Sequence, residues 1–148
     1  MMPSTLNQLD STSDEHLINE VVDEFARGWN LHDVEIFCNV FADDADFTNV
    51  KGVRKSGRQA IAELHEPLFK SIWSQSELSI TKIISRFIKA DVASVDAWWA
   101  LERLKDPQGV DVPPRNGLLH FIMTRRAGKW SIEVMHNMDL PGSVAQKC

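Results

Sequence analysis

At Trp73 the hydrophobic period of the chain changes, and no other feature so narrows the folds open to it. Upstream, apolar residues recur at helical spacing. Leu17, Val21, Phe25 and Trp29 form one stripe, widened by Ile18 and Val22. Downstream, four segments read as strands rich in β-branched and aromatic residues: ELSITKIISRFI, VASVDAWWALERL, GLLHFIMTRR and KWSIEVMHNM. Helices followed by long strands is the pattern of an α+β domain.

The punctuation of the chain refines that pattern. Ser13 is placed to cap the first helix, with Asp14 and Glu15 in the first turn, where the helix dipole favours acids. Asn30 to His32 interrupt the stripe, and Asp33 is placed to cap a shorter helix carrying Ile36, Phe37, Val40 and Phe41. Asp43 and Asp44 then read as turn and capping residues, and residues 45–50 as a short early strand with Asp46 facing outward. A third helix follows Gly57, with Ile61, Leu64, His65, Leu68, Ile72 and Trp73 on one face. Ala127-Gly128 suits a two-residue hairpin turn. KDPQGVDVPPRN is a longer loop whose prolines have no place in a central strand. Residues 1–13 are expected to be a disordered polar segment, 14–140 one domain and 141–148 a flexible tail. A sheet of four long strands folding partway around two helices leaves space its own side chains cannot fill, so an internal cavity is expected.

Composition removes several function classes. The chain has 148 residues and a net charge of −5, with acids and bases interleaved. Nucleic-acid binders concentrate Lys and Arg on one face, and here only Arg125-Arg126 cluster, so no nucleic-acid partner is expected. No apolar run approaches the length of a membrane span, and the N-terminus lacks the pattern of a secretory signal. Cys38 and Cys148 do not suggest a disulfide framework, which leaves a reduced, cytoplasmic protein as the expectation. The histidines at 16, 32, 65, 120 and 136 show no metal-binding spacing, and Asp43, Asp44 and Asp46 lack the ligand spacing of a calcium loop. No phosphate loop, nucleophile elbow or dinucleotide fingerprint occurs. No metal and no cofactor are expected.

Three segments, VVDEFARGWNLHD, VFADDADFTNVKG with SGRQAI, LH and LF behind it, and RRAGKWSIEVMHN, together resemble the nuclear transport factor 2-like superfamily. The resemblance is to its SnoaL-like branch, and within that to the SgcJ/EcaC-type subgroup. It covers about residues 14–139. It implies a cone of curved antiparallel sheet wrapped around the N-terminal helices (the cystatin-like fold), a homodimer through the outer face of the sheet, and a small molecule held inside. Ketosteroid isomerases share this superfamily. Their general base matches Asn49 here, their phenolic donor Phe25, and their protonated acid Leu119 before His120-Phe121. None of these three can take a proton or donate as that mechanism requires. The association domain of calcium/calmodulin-dependent kinase resembles this chain through His65 and Trp73 in LHEPLFKSIW. Its pocket arginines, however, match Trp99, Phe121 and Asn137.

The matched positions set a strand parity. Asn49, Leu119, Phe121, Met123, Glu133, Met135 and Asn137 are expected to face the cavity, and His120, Ile122, Val134 and His136 the outer face. Trp98 and Trp99 point to opposite faces. Three residues are candidate catalytic groups: His65 as a base that titrates near working pH, Asn49 as an orienting amide, and Glu133 as an acid raised by burial. Phe25, Trp29, Trp73, Trp99, Phe121, Asn137 and Arg103 are candidate ligand-binding residues. Each has a plainer alternative. His65 is then a core histidine bonded to a neighbour, Asn49 a turn former, Glu133 a solvated charge after a one-residue slip, and Arg103 a surface charge. The expected function is binding of a small, mostly apolar molecule, with cofactor-free acid-base chemistry of the isomerase, lyase or hydrolase type. The alternative is a non-catalytic association or ligand-sequestering module.

Overall fold

The stripe of Ile18, Val22, Phe25 and Trp29 lies buried along the inner side of helix α1, which spans Met2–Leu31. The structure, a computed structural model, describes residues 2–141, with side chains from Ser13 onward. Ser13, expected as the N-cap, lies inside α1, since nothing before it breaks a helix except Pro3, tolerated in a first turn. The tail expected at 141–148 lies, apart from Pro141, outside the described residues, and the segment expected to be disordered at 1–13 lies, apart from Ser13, outside the described side chains.

α1 ends in a reciprocal pair of backbone bonds. His32 N–H donates to Trp29 O at 2.9 Å and Asp33 N–H to Gly28 O at 3.0 Å, with His32 at φ 54°. Asp33 immediately caps α2 (Val34–Cys38), its carboxylate accepting from Glu35 and Ile36 N–H, as expected. Gly28 lets the two helices touch, because a Cβ there would overlap the backbone of Phe37. Asn30 docks the end of α1 on the sheet through two bonds to the main chain of Leu78, at 2.9 and 2.6 Å.

Val40 and Phe41 do not continue α2. The last strand captures them: Ile132 N–H donates to Val40 O at 2.8 Å, and Phe41 opens β1 (Phe41–Thr48). Asp43 and Asp44 therefore sit within β1, exposed where its register against the last strand is irregular, rather than in a turn. A short edge strand β2 (Arg54–Ser56) follows, then α3 (Arg58–Phe69). α3 stops short of Ile72 and Trp73. Pro67 removes one helical donor, and Trp73 N–H reaches back to Leu68 O in the closing turn.

The remaining strands are β3 (Glu77–Lys89), β4 (Val92–Glu102), the short pair β5 (Leu104–Lys105) and β6 (Asp111–Val112), β7 (Arg115–Arg126) and β8 (Lys129–Asp139). Six strands make one sheet in the order β2-β1-β8-β7-β4-β3, and β5 and β6 form a small ribbon inside the long loop. All neighbours run antiparallel except β1 and β8, which are parallel. The turn at Ala127-Gly128 has φ of 52° and 78°, the doubly left-handed geometry of a two-residue hairpin. On β4 the inward residues Ala93, Val95, Ala97, Trp99 and Leu101 are all buried, and Leu119, Phe121 and Met123 continue the layer on β7.

The parity of β8 is broken once. Ile122 pairs with Val134 but Met123 pairs with Ile132, so Glu133 is an extra residue in a bulge. Trp130 and Ile132 are buried on one side of the bulge and Met135 on the other. The result is an α+β domain of three helices inside a curled sheet. No helix among the described residues is long and apolar enough to cross a membrane.

Candidate functional site

Between the helices and one end of the sheet lies a cavity of about 350 Å³. Its floor is aromatic. Phe25 and Trp29 come from α1, Phe37 from α2, Phe47 from β1, and Trp73 from the turn after α3. Trp29 and Trp73 lie with ring centroids 4.5 Å apart, and Trp29 Nε1 donates to Ser76 Oγ at 2.9 Å. Ser76 Oγ in turn donates to the main-chain oxygen of Trp73 at 2.7 Å, so the Trp29 indole is tied through Ser76 to the turn that carries Trp73.

His65 lies in this floor, 3% exposed, with the rings of Phe37 and Phe47 at 4.6 and 4.9 Å. Its Nδ1 is 2.8 Å from Ile61 O. A carbonyl only accepts, so Nδ1 carries the proton and Nε2 is bare. Burial pushes the imidazole pKa down from 6.5 to about 4, against the smaller opposing effect of the Ile61 bond. Nε2 has no hydrogen-bond partner among the described residues. The one fully enclosed side-chain N or O atom without a partner among them is Ser85 Oγ, so Nε2 is not fully enclosed, and His65 lines the cavity.

The rim is polar. Asn49 Oδ1 accepts from Lys51 and Val53 N–H, both at 2.9 Å, shaping the loop after β1. Asn137 Oδ1 accepts from Trp99 Nε1 at 2.8 Å. Arg115 donates through Nε and Nη2 to Asp139 Oδ1 at 3.2 and 2.7 Å, and its guanidinium carbon lies 5.7 Å from the centroid of Trp99. Gly117, which pairs with Trp99 across the sheet, makes room for that indole, because a Cβ there would overlap the ring.

Seven of the ten residues expected at the site line this cavity: Phe25, Trp29, Asn49, His65, Trp73, Trp99 and Asn137. Three do not. Glu133 is turned out by its bulge, where it accepts from Thr124 Oγ1 at 2.6 Å and pairs with Arg126 at 3.4 Å. Arg103 sits at φ 59° just past β4, exposed, with Glu77 at 3.9 Å. Phe121 faces inward as expected but packs in the core outside the cavity lining. The expectation overlooked Lys51, Arg115 and Asp139. The last two were within reach, since extending the inward parity by two residues from Gly117 and Asn137 arrives at both.

The other nucleophile and metal ligands offer less. Cys38 is buried, and burial pushes its thiol up to about 11, far from a thiolate. Among the described residues no group of three or more His, Cys, Asp or Glu is arranged to hold a metal ion. The outer face of the sheet carries Trp98, Leu118 and Met138 in one cross-strand row, beside an Asp96–His120 contact of 2.7 Å.

Comparison with solved structures finds the same architecture repeatedly. An NTF2-like protein with a cystatin-like fold from Novosphingobium aromaticivorans superposes with a TM-score of 0.82 at 17% identity, covering 99% of this chain and 95% of that one. A candidate scytalone dehydratase from the same organism gives 0.78 at 12% identity, covering 90% and 88%. A hexachlorocyclohexane dehydrochlorinase, LinA type 2, gives 0.80 at 15% identity, covering 91% and 94%. At these identities the likeness is one of fold. A search of curated proteins by sequence found no match. The family model of the SnoaL-like domain matches residues 22–132. With the helices, the curled sheet and the cavity all in place, the chain belongs to the SnoaL-like domain family.

Proposed function

We propose that this domain binds a small, mostly apolar molecule in its cavity and removes a proton from it without a cofactor, with His65 Nε2 as the base. One observation carries the proposal: a bare imidazole nitrogen, oriented by a main-chain bond, opens onto an aromatic cavity and has no protein partner among the described residues. Asn137 and Asn49 supply amide N–H groups where negative charge would develop. Dehydration and dehydrochlorination, the activities that two structural neighbours are named for, are both eliminations, which favours a lyase over a hydrolase here. Phe25, Asn49 and Leu119 all line the cavity and carry none of the groups of a ketosteroid isomerase, which disfavours that mechanism. The SgcJ/EcaC-type placement rests on the sequence segments alone and is part of the same proposal.

The test is proton exchange. Wild type in D2O with a panel of cyclic ketones and β-substituted alicyclic compounds is expected to exchange or eliminate at an acidic C–H, read by proton NMR, and His65→Ala to lose that activity. If His65→Ala matches wild type on every active compound, His65 is not the base. Binding is read separately by quenching of the cavity tryptophans. Binding without exchange would leave a sequestering domain.

A second proposal has its own observation. The row Trp98, Leu118, Met138 gives the outer sheet face an apolar strip, with Met138 42% exposed. A second copy of this chain covering it would make a homodimer, the arrangement that an association module also requires.

A further inference from the structure

We infer that the molecule held in this cavity carries a carboxylate, seated at the rim by Arg115, Lys51 and the amides of Asn49 and Asn137. The inference rests on the small-molecule proposal above and narrows it to one chemical class.

The ground is an imbalance of donors and acceptors. Both rim asparagines have spent their oxygen on the protein: Asn49 on two loop N–H groups, Asn137 on the indole of Trp99. An indole N–H only donates, so the Asn137 amide cannot be turned around without breaking that bond. Each asparagine is left with NH2 alone. Arg115 gives two of its five N–H bonds to a single oxygen of Asp139 and keeps three. Lys51 is exposed at the rim and has no ion pair among the described residues. Against these donors the side chains that line the cavity offer two acceptors without a partner among the described residues, His65 Nε2 on the floor and the second oxygen of Asp139.

The charges agree. Among the lining residues Arg115 and Asp139 offset each other, which leaves Lys51 as a net positive charge in a chain of net −5. These residues come from the end of β1, the start of β7 and the end of β8, which are neighbours at one end of the sheet. A donor-rich, cationic rim above an apolar floor matches an acceptor-rich anion on an apolar body. A carboxylate offers about four lone-pair sites, and its bonds to charged donors are the stronger kind. A neutral alcohol would use only a part of this rim, and an ammonium group would face Lys51 and Arg115.

Three molecules of nearly equal shape test this: cyclohexylacetate, 2-cyclohexylethanol and 2-cyclohexylethylamine, titrated against the full chain by tryptophan quenching. The carboxylate is expected to bind about tenfold more tightly than the alcohol, about one charge-assisted hydrogen bond's worth, and the amine to bind weakest. That preference should shrink as salt is raised, while the alcohol's affinity stays level. Arg115→Gln is expected to abolish the preference. Because it also strips Asp139 of its partner, Lys51→Gln, on an exposed side chain, repeats the test at no cost to the fold and should cut the preference severalfold. If the alcohol binds and the carboxylate binds no better, the carboxylate inference fails and the small-molecule proposal stands. If none of the three binds saturably, both fail.

Discussion

The indole N–H of Trp99 donates to Asn137 Oδ1 at 2.8 Å, and this single bond decides which end of the amide meets the cavity. Asn137→Asp keeps an acceptor for Trp99 in the same volume and replaces the free NH2 with a carboxylate oxygen. Affinity for cyclohexylacetate is expected to fall more than tenfold, with the melting temperature little changed. An unchanged affinity would show that the amide contributes no donor to the ligand.

The same indole depends on Gly117. A Cβ at that position would overlap the Trp99 ring and approach Met138 O at 2.5 Å. Gly117→Ala should therefore cost about 1–3 kcal/mol, read by urea unfolding, and shift the fluorescence of the cavity tryptophans as Trp99 moves. Wild-type stability in this variant would mean that the indole has another place to go.

His65 makes stability depend on pH with a definite sign. Its folded pKa, about 4, lies below the ordinary 6.5, so on acidification the unfolded chain takes the proton first. The contribution is full above about pH 6.5 and is lost as pH falls towards about 4. At about 1.4 kcal/mol per pH unit this amounts to roughly 3 kcal/mol. Urea midpoints across that window should fall in wild type and stay flatter in His65→Leu. Equal slopes would place the acid sensitivity elsewhere. The proposed proton removal by His65 should survive down to about pH 5 and vanish through about 4.

Asp14 ties the helix to the far end of the sheet. It is buried; its Oδ1 and Oδ2 accept from Arg125 Nη1 at 3.1 and 3.0 Å, and Oδ1 also accepts from Trp130 Nε1 at 3.1 Å. Asp14→Ala should destabilise the domain by about 2 kcal/mol and leave ligand affinity intact, since none of these residues lines the cavity. A loss of binding at native stability would contradict that separation.

For the proposed homodimer, Trp98→Glu places a charge in the middle of the outer apolar row. Sedimentation velocity is expected to show dimer for wild type and monomer for the variant, each with a native circular dichroism spectrum. A wild-type monomer at all concentrations would remove the proposal.

Most of the architecture was written in the period of the apolar residues. The four long strands, the hairpin at Ala127-Gly128 and the cap at Asp33 follow from local rules, and the structure has all of them. What local rules missed was decided by distant partners. Val40 and Phe41 suit a helix by spacing, but Ile132, 91 positions beyond Phe41, bonds to Val40 O and pairs with Phe41 as the first residue of β1. Glu133 was assigned inward because alternation carries on through a bulge unnoticed: one added residue changes no composition and no motif, yet reverses a face. The aromatic cavity floor was legible because its residues sit on helical faces and in matched motifs. For Arg115 and Asp139 the strand parity was legible but not the setting, because a charged residue at the mouth of a strand looks the same on paper whether it meets water or a cavity.

The main-chain oxygen of Ile61, which holds His65 in one tautomer, has a consequence for how such a domain changes over generations. Every residue at position 61 has that oxygen, so no point substitution there deletes it while the helix persists. The orientation of the imidazole is thereby separated from the identity of the wall around it. Phenylalanines, tryptophans and rim amides can be exchanged one at a time to admit a different molecule, and the bare nitrogen stays where it is. If His65 is the base proposed above, a scaffold built this way can change what it holds without first losing that base.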